Sequence, residues 1–429
     1  MSFRTKFLLV VTSASLALYA LIGGWMATRA QQPINDAGTQ LRIFDSVLQH
    51  IQNDYVDEPN LEKVDAGALR GLAYGLDPYS SYLTAQQVKD YQANKSKGEA
   101  GIGAEVSQVS SYLYVIAPVK GSPSEKAGLR NGDVIEYIEN KATRDISLYD
   151  ARQMLLGDAG TKVKLRVLRA GNKPQSIEVT RGTFKTPEVE ARVDNNGAKV
   201  GVIKVNSLQE GEANDIKNRL TDLTKQGVTK IVLDLRGVAG GSLTEAVNVA
   251  NLFIKEGVLA QTIGRENKVL QTFTADSSKA VFTGQVATLI DFGTAGAGEV
   301  VASAMLSRQR GDVIGEKSFG AGTEQKLFTL SRNGDGFLLT TTKWASADGK
   351  AFLDNDRQLA GVKPSIEVKR PELPEPIDPE SLSNDEPQPD EATPTATPTP
   401  KPTPQPAQPE DVQLKKALEV LRKGAAVTS

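Results

Sequence analysis

Cysteine is absent from this 429-residue chain, and histidine occurs once, at His50. The first absence excludes disulfides, thiol nucleophiles, thiolate zinc sites and iron–sulfur clusters. The second leaves almost no room for a Ser-His-Asp triad or a multi-histidine metal centre. Hydrolytic chemistry would need another base, and lysine is the first candidate. Neither sign of charge dominates: 50 basic residues face 52 acidic ones, for a net charge of −2. Such a balance gives no global footprint for nucleic acid. No metal, cofactor or nucleic acid is therefore expected. With 39% hydrophobic and 24% charged residues, the remainder reads as ordinary globular protein, long enough for roughly two to three domains.

The two ends differ from the middle. Arg4 and Lys6 precede an uncharged run from Phe7 to Ala27, 21 residues long, with Trp25 at its far edge. This suits a membrane-spanning helix. A cleavable signal peptide ending near Thr28-Arg29-Ala30 competes with that reading for residues 1–30. Either way the body is expected to be exported to the periplasm or cell envelope, held in the inner membrane through residues 7–27 if the segment stays. At the other end, residues 371–410 hold 13 of the 21 prolines among Asp, Glu, Thr and Gln. That composition predicts a disordered linker. Leu414, Leu418 and Leu421 then mark an amphipathic helix within 411–429. It either docks on a partner or on the body, or stays solvated.

Residues 35–96 carry helical periodicity, with Leu41, Phe44, Val47, Leu48 and Ile51 on one stripe. Residues 97–183 change to short strands (Tyr112–Ile116, Val134–Ile138, Val163–Val167) with one helix over Ser147–Leu156. From 184 to 370, strands alternate with helices: strands at Val200–Val205, Ile231–Leu235 and Val286–Asp291, and helices over 212–226, 246–254 and 297–306. The alternation predicts an α/β layer with a mostly parallel sheet. The fold class is thus α/β and multidomain.

Gly101-Ile102-Gly103-Ala104 opens the small β region. Backbone N–H groups of such a loop can hold a peptide carboxylate while the adjacent strand edge pairs with the peptide. With the turn from Gly121 to Asp133 and helix 147–156, this loop resembles a PDZ domain of the bacterial processing-protease variety. The resemblance widens to about residues 40–370. Leu76-Asp77-Pro78-Tyr79-Ser80-Ser81-Tyr82-Leu83, Ile231-Val-Leu-Asp-Leu-Arg-Gly-Val-Ala-Gly-Gly241, Asp291-Phe-Gly-Thr-Ala-Gly-Ala-Gly-Glu299 and Gly315-Glu-Lys-Ser-Phe-Gly-Ala-Gly-Thr-Glu-Gln325 follow the order and spacing of the carboxyl-terminal processing peptidases. Leu339–Trp344 and Gly361–Val368 fit the close of that family's core.

The resemblance implies a serine nucleophile and a lysine base, a pair that works when burial keeps the lysine neutral. It places the serine at Gly296 and the lysine at Ala321, so both functional side chains are gone at the family's separation of 25 positions. Gln325, which orients the lysine in the family, is retained. Backbone N–H groups of Gly240, Gly241 and Ala297 are the oxyanion candidates, although Val238 and Ala239 replace the family's Asn and Pro. Thr294, Ser242, Ser303 and Lys317 lie off the expected turns, and a phosphate loop at Gly293–Gly298 lacks a Walker lysine. The chain therefore reads as a catalytically silent peptidase scaffold. Its expected partners are unstructured C-terminal tails, bound at Gly101–Ala104, and active relatives. The alternative is a working endopeptidase with a rearranged site.

Overall fold

The structure, a computed structural model, describes residues 3–5, 7, 11–19, 37–94, 100–330, 333–370, 377 and 410–423. It divides into two units, residues 1–67 and 68–429. In the first, residues 11–19 are helical, followed by α1 (Ala37–Asp54). Helix α2 (Leu61–Tyr74) begins in this unit, where Asn60 Oδ1 accepts the Lys63 N–H at 3.0 Å as its cap. The apolar stripe of α1 is exposed, Leu41 by 68% and Val47 by 51%. Periodicity reports that a helix forms, not what covers it. Among the described residues no helix is long and apolar enough to cross a membrane. Most of 7–27 and of the 371–410 linker lies outside those residues.

The second unit continues with β1 (Ser81–Leu83) and α3 (Ala85–Asn94). An antiparallel sheet follows, in the order β2 (Ala104–Val109), β3 (Tyr112–Pro118), β4 (Val134–Ile138), β6 (Lys162–Leu168), β7 (Gln175–Thr180), with β5 (Lys141–Ala142) on β4. Helix α4 (Pro123–Lys126) fills the Gly121–Asp133 turn, and α5 (Leu148–Leu155) packs on the sheet with Ser147 as its cap. Alternation in β6 buries Val163, Leu165 and Val167 against Ile135, Ile138 and Ala151.

The α/β layer carries β8 (Glu190–Asp194), β9 (Val200–Lys204), α6 (Glu212–Lys225), β10 (Lys230–Asp234) and α7 (Leu243–Asn251). Then come β11 (Val258–Ile263), β12 (Val269–Thr274), β13 (Gln285–Ile290), α8 (Ala297–Ser307), β14 (Gly311–Gly315), β15 (Thr323–Thr329), β16 (Gly336–Ser346) and β17 (Ile366–Glu367). Strands β17, β14, β13, β10 and β9 run parallel, and β8 closes the edge antiparallel. A second antiparallel sheet, β1-β16-β11-β12 with β15 on β16, was not legible from the alternation of elements. The half-exposed, threonine-rich β16 carries no continuous apolar run.

Helix α9 (Val412–Lys423) settles the question left open for the C-terminus, because it docks on the body. Strand β10 sends Ile231 and Leu233 towards α6, α7 and α8, and Val232 towards α9. Burial on both faces explains why this strand is apolar throughout. Ala417, Leu418 and Leu421 cover Val200, Val202, Leu289 and Ile314. At the start of α9, Asp411 accepts two hydrogen bonds from Arg236, at 2.9 and 2.8 Å. The same guanidinium clamps Asp234 at 2.9 and 2.8 Å, and Lys204 adds a contact at 3.3 Å. Burial pushes the Asp234 carboxyl up, but the two cations outweigh it and hold the group down to about 2.

Two consequences can be measured by urea unfolding. Leu418→Ala should cost about 2–5 kcal/mol, whereas Asp411→Asn, at a more exposed pair, should cost about 1 kcal/mol or less. A neutral outcome for Leu418→Ala would mean α9 is not docked. The Asp234 contribution should be complete above its ordinary value of 3.8 and vanish as pH falls towards about 2, since its folded pKa is the lower one.

Candidate active site

Strand β13 ends at Ile290, and the chain turns sharply before α8 starts at Ala297. Gly296, at the bend, has φ 50° and ψ −106°, a region that residues with a Cβ rarely adopt. Such a strand-to-helix elbow holds an exposed nucleophile in several hydrolase folds. Here the residue is glycine. A Cβ at this point would meet only the Ala239 carbonyl and the Trp344 ring, each at 3.7 Å, so space for a side chain remains.

Glu299, the third residue of α8, ties this elbow to the loop that precedes β15. Its Oε2 accepts from Gly296 N and Ala321 N, both at 2.8 Å. Its Oε1 accepts from Gly320 N at 2.7 Å and Ser318 Oγ at 2.5 Å. The bond to Gly296 is half of a capping box, and glycine has no side chain to supply the other half. Burial pushes the Glu299 carboxyl up, opposed by these four donors. One carboxylate oxygen thus brings together the backbones of both positions singled out from the sequence, Gly296 and Ala321.

The third element is the turn after β10. Gly241 approaches the Leu208 carbonyl so closely that a Cβ would stand 2.5 Å from its oxygen. The turn is stitched to the elbow by Ala295 N donating to Val238 O at 3.0 Å. No described hydrogen bond takes the N–H of Gly240, Gly241 or Ala297. However, Glu105 of β2 places Oε1 3.1 Å from where a Gly240 Cβ would lie. That carboxylate works against gathering further negative charge there. Gln325 sits in a separate network: its Nε2 donates to Thr323 and Thr340 hydroxyls at 2.7 and 3.2 Å, and Thr340 donates to Asp77 at 2.9 Å.

The β2–β4 sheet closes over all of this. Tyr114, Ile116 and Val134 are buried with Ala295, Phe319 and Ala321, and Ile377 packs against the same cluster. Tyr114 donates to the Ile377 carbonyl at 2.6 Å. Arg357 stacks on Phe319, 4.6 Å from its centroid, and donates to its carbonyl at 2.6 Å.

Comparison with known proteins agrees with this arrangement. Residues 199–368 match the model of peptidase family S41, and residues 114–169 match that of the PDZ domain. The carboxy-terminal processing protease CtpA of Bacillus subtilis is 30% identical over 368 residues, covering 85% of this chain and 77% of its own. The carboxy-terminal-processing protease of Bartonella bacilliformis is 32% identical over 342 residues, 78% and 76% of the two chains. Among solved structures, the photosystem II D1 C-terminal processing protease superposes with a TM-score of 0.64 at 25% identity, covering 76% of this chain and 86% of its own. The chain belongs to the S41 family of carboxyl-terminal processing peptidases. Its β2–β7 sheet with α5 is the PDZ domain, and such a pairing is built to handle peptide or protein chains.

The remaining residues singled out from the sequence stand apart. Thr294 is fully buried, donating to Leu235 O at 2.9 Å. Lys317 points into the 357–358 loop, donating to Arg357 O at 2.6 Å and Gln358 O at 3.0 Å, and burial lowers its pKa. Ser242 caps α7, Ser303 donates to Val300 O, and His50 pairs with Asp54 on an exposed surface. Asn131 of the PDZ turn lies over Gly293, where a Cβ would collide with it, which covers the weak phosphate-loop alternative. In the peptide loop, Gly101 N is committed to Gly182 O at 3.3 Å, so it offers nothing to a ligand. The antiparallel bridge of Gly101 with Leu156 turns the Ile102 N–H towards the Leu155 carbonyl, whereas no described hydrogen bond takes the N–H of Gly103. Gly103, at φ 70°, must be glycine because a Cβ would strike Phe184 and Ser122 at 2.5 Å.

Sequence reasoning registered Glu299 only as a surviving neighbour and missed Ser318, Arg357 and Tyr114 at the site. The signal for Glu299 was present: an acid three residues after a helix-starting position is a capping pattern. Glu299→Gln should destabilise the chain by on the order of 3 kcal/mol, because the amide nitrogen cannot accept from the donors it then faces. Thermal or urea unfolding within 0.5 kcal/mol of wild type would show that the four bonds do not hold the loops.

Proposed function

We propose that this chain is a catalytically silent S41 peptidase that binds unstructured C-terminal tails, acting in the cell envelope as adaptor, scaffold or regulator of active relatives. One observation carries the reading. The elbow and the loop that meet on Glu299 present Gly296 and Ala321, a pair with no hydroxyl to attack and no amine to accept a proton. Export rests on the N-terminal charge pattern and the 7–27 apolar run. Tail binding rests on the PDZ match and the open N–H group of Gly103.

A scaffold role gains support from the closure of the PDZ face on the site, with Ala321 only 8% exposed. The rearranged-endopeptidase alternative finds little support. Thr294 and Lys317 spend their polar atoms on different backbone carbonyls, and general-base catalysis needs the two groups within about 3 Å.

Purified protein should cleave neither casein nor tailed peptides above a buffer control, and should not be labelled by serine-directed fluorophosphonates. Gly296→Ser alone should stay inactive, because an unassisted hydroxyl is a weak nucleophile, and its positive φ adds about 1–3 kcal/mol of strain. Gly296→Ser with Ala321→Lys should recover measurable cleavage, about 10²–10⁴-fold over the serine variant. Robust turnover by the wild-type chain would overturn the reading.

A further inference from the structure

Strand β2 is the edge of the PDZ sheet, and α5 lies beside it. An extended peptide would add here, pairing with the outer N–H and C=O groups of β2. In this structure that edge already has an occupant from the same chain. Tyr79 packs against the PDZ core. Its hydroxyl accepts from Ser107 Oγ at 3.0 Å. Val106 faces the domain interior, so Ser107 faces the opposite side of the strand. A tyrosine that packs on that core and also bonds Ser107 lies at the strand's outer edge. Arg152 of α5 completes the cover: its Nη2 donates to the Val106 carbonyl at 2.9 Å, and its guanidinium sits 5.8 Å from the centre of the Tyr79 ring.

The turn that delivers Tyr79 is rigid. Asp77 Oδ1 accepts the N–H of Tyr79 at 2.8 Å and of Ser80 at 2.9 Å, and Ser80 is held to Thr340 in β16. From the other side, Gln87 of α3 donates to Asp150 of α5 at 2.7 Å, and Tyr91 meets Tyr149 with ring centroids 6.3 Å apart. These contacts pin the helix that would have to give way for a ligand. Burial raises the pKa of the Tyr79 hydroxyl, as expected of a ring withdrawn from water.

We propose that the Asp77–Ser80 turn is a built-in ligand of the PDZ groove, Tyr79 occupying the place of a tail side chain at Ser107 and Arg152. The assignment rests on the tail-binding reading above and sets its specificity. A competing tail must displace Tyr79, and it does so best with an aromatic residue of its own. Ser107 lies three residues along β2 from Ala104, beside the carboxylate loop. The favoured aromatic therefore stands three residues before the tail's last residue.

Full-length protein would be titrated against a fluorescein-labelled decapeptide ending Tyr-Ala-Ala-Val, its twin ending Ala-Ala-Ala-Val, and both with an amidated terminus. Tyr79→Ala should bind the free-carboxylate peptides at least tenfold more tightly than wild type, and Tyr79→Phe only a few-fold more tightly. The tyrosine peptide should outbind its alanine twin by at least fivefold, a margin that Ser107→Ala reduces. In parallel, hydrogen exchange of 104–109 and 148–155 should speed up in Tyr79→Ala. Arg152→Ala, which frees the Val106 carbonyl and removes the cation beside the Tyr79 ring while leaving the turn's own hydrogen bonds in place, should shift exchange the same way and guards against a folding defect. Equal binding by wild type and Tyr79→Ala, with unchanged exchange, sinks the proposal. Faster exchange with no binding by any variant would leave the self-docking standing and refute the tail-binding reading instead.

Discussion

A carboxylate with no solvent contact sits at the junction of two loops, and its desolvation would be ruinous were it not met by four donors. Glu299 is fully buried, and its acceptors are filled by Gly296, Ser318, Gly320 and Ala321. Because the donors are mostly backbone, the arrangement does not depend on which side chains the loops carry. Because residues 296 and 321 donate through their backbone N–H groups, a change of side chain at either position leaves those bonds available. The elbow at Gly296 keeps its positive φ for the same reason, since the helix that follows is anchored through its third residue.

A second charged centre does comparable work at the end of the neighbouring strand. Asp234 closes β10, and Arg236, two residues on, clamps it and Asp411 together. The turn that continues to Gly241 therefore starts from a residue whose position depends on the C-terminal helix. Asp291, at the end of β13, receives Gly237 N at 2.9 Å and Arg370 at 3.0 Å. These ion pairs lie at the carboxyl ends of parallel strands, where open α/β sheets gather their functional loops. The helix that the sequence left as tail or dock is thus a covering layer of the core, joined to its loops by a short polar path.

Legibility followed burial pattern. Strands such as Ile231–Leu235, apolar because both faces are covered, stood out at once and were located within a residue. The β11–β12 and β15–β16 pairs did not, because β12 and β15 are largely exposed and β16 alternates irregularly. Local reading of the 41–51 stripe gave the helix and carried no information about what covers it. Motif spacing singled out Gly296, Ala321 and the glycine turn. It could not show that Gly101 N is spent on Gly182, nor that Glu105 of one domain leans on Gly240 of another. Those facts arise from contacts between segments far apart in the chain, which no local pattern encodes.

Glycine at 296 and alanine at 321 have a joint physical consequence. Ala321 lies under Tyr114, Ile116 and Val134, an apolar face of the PDZ sheet. An ammonium there would have to be desolvated or neutralised, at a cost of several kcal/mol, before that face could close. Alanine removes the cost and adds apolar surface to the junction. Glycine at 296 relieves a backbone conformation that strains any residue with a Cβ. Both changes therefore stabilise the same state, in which the PDZ sheet rests on the core and Glu299 holds the loops beneath it.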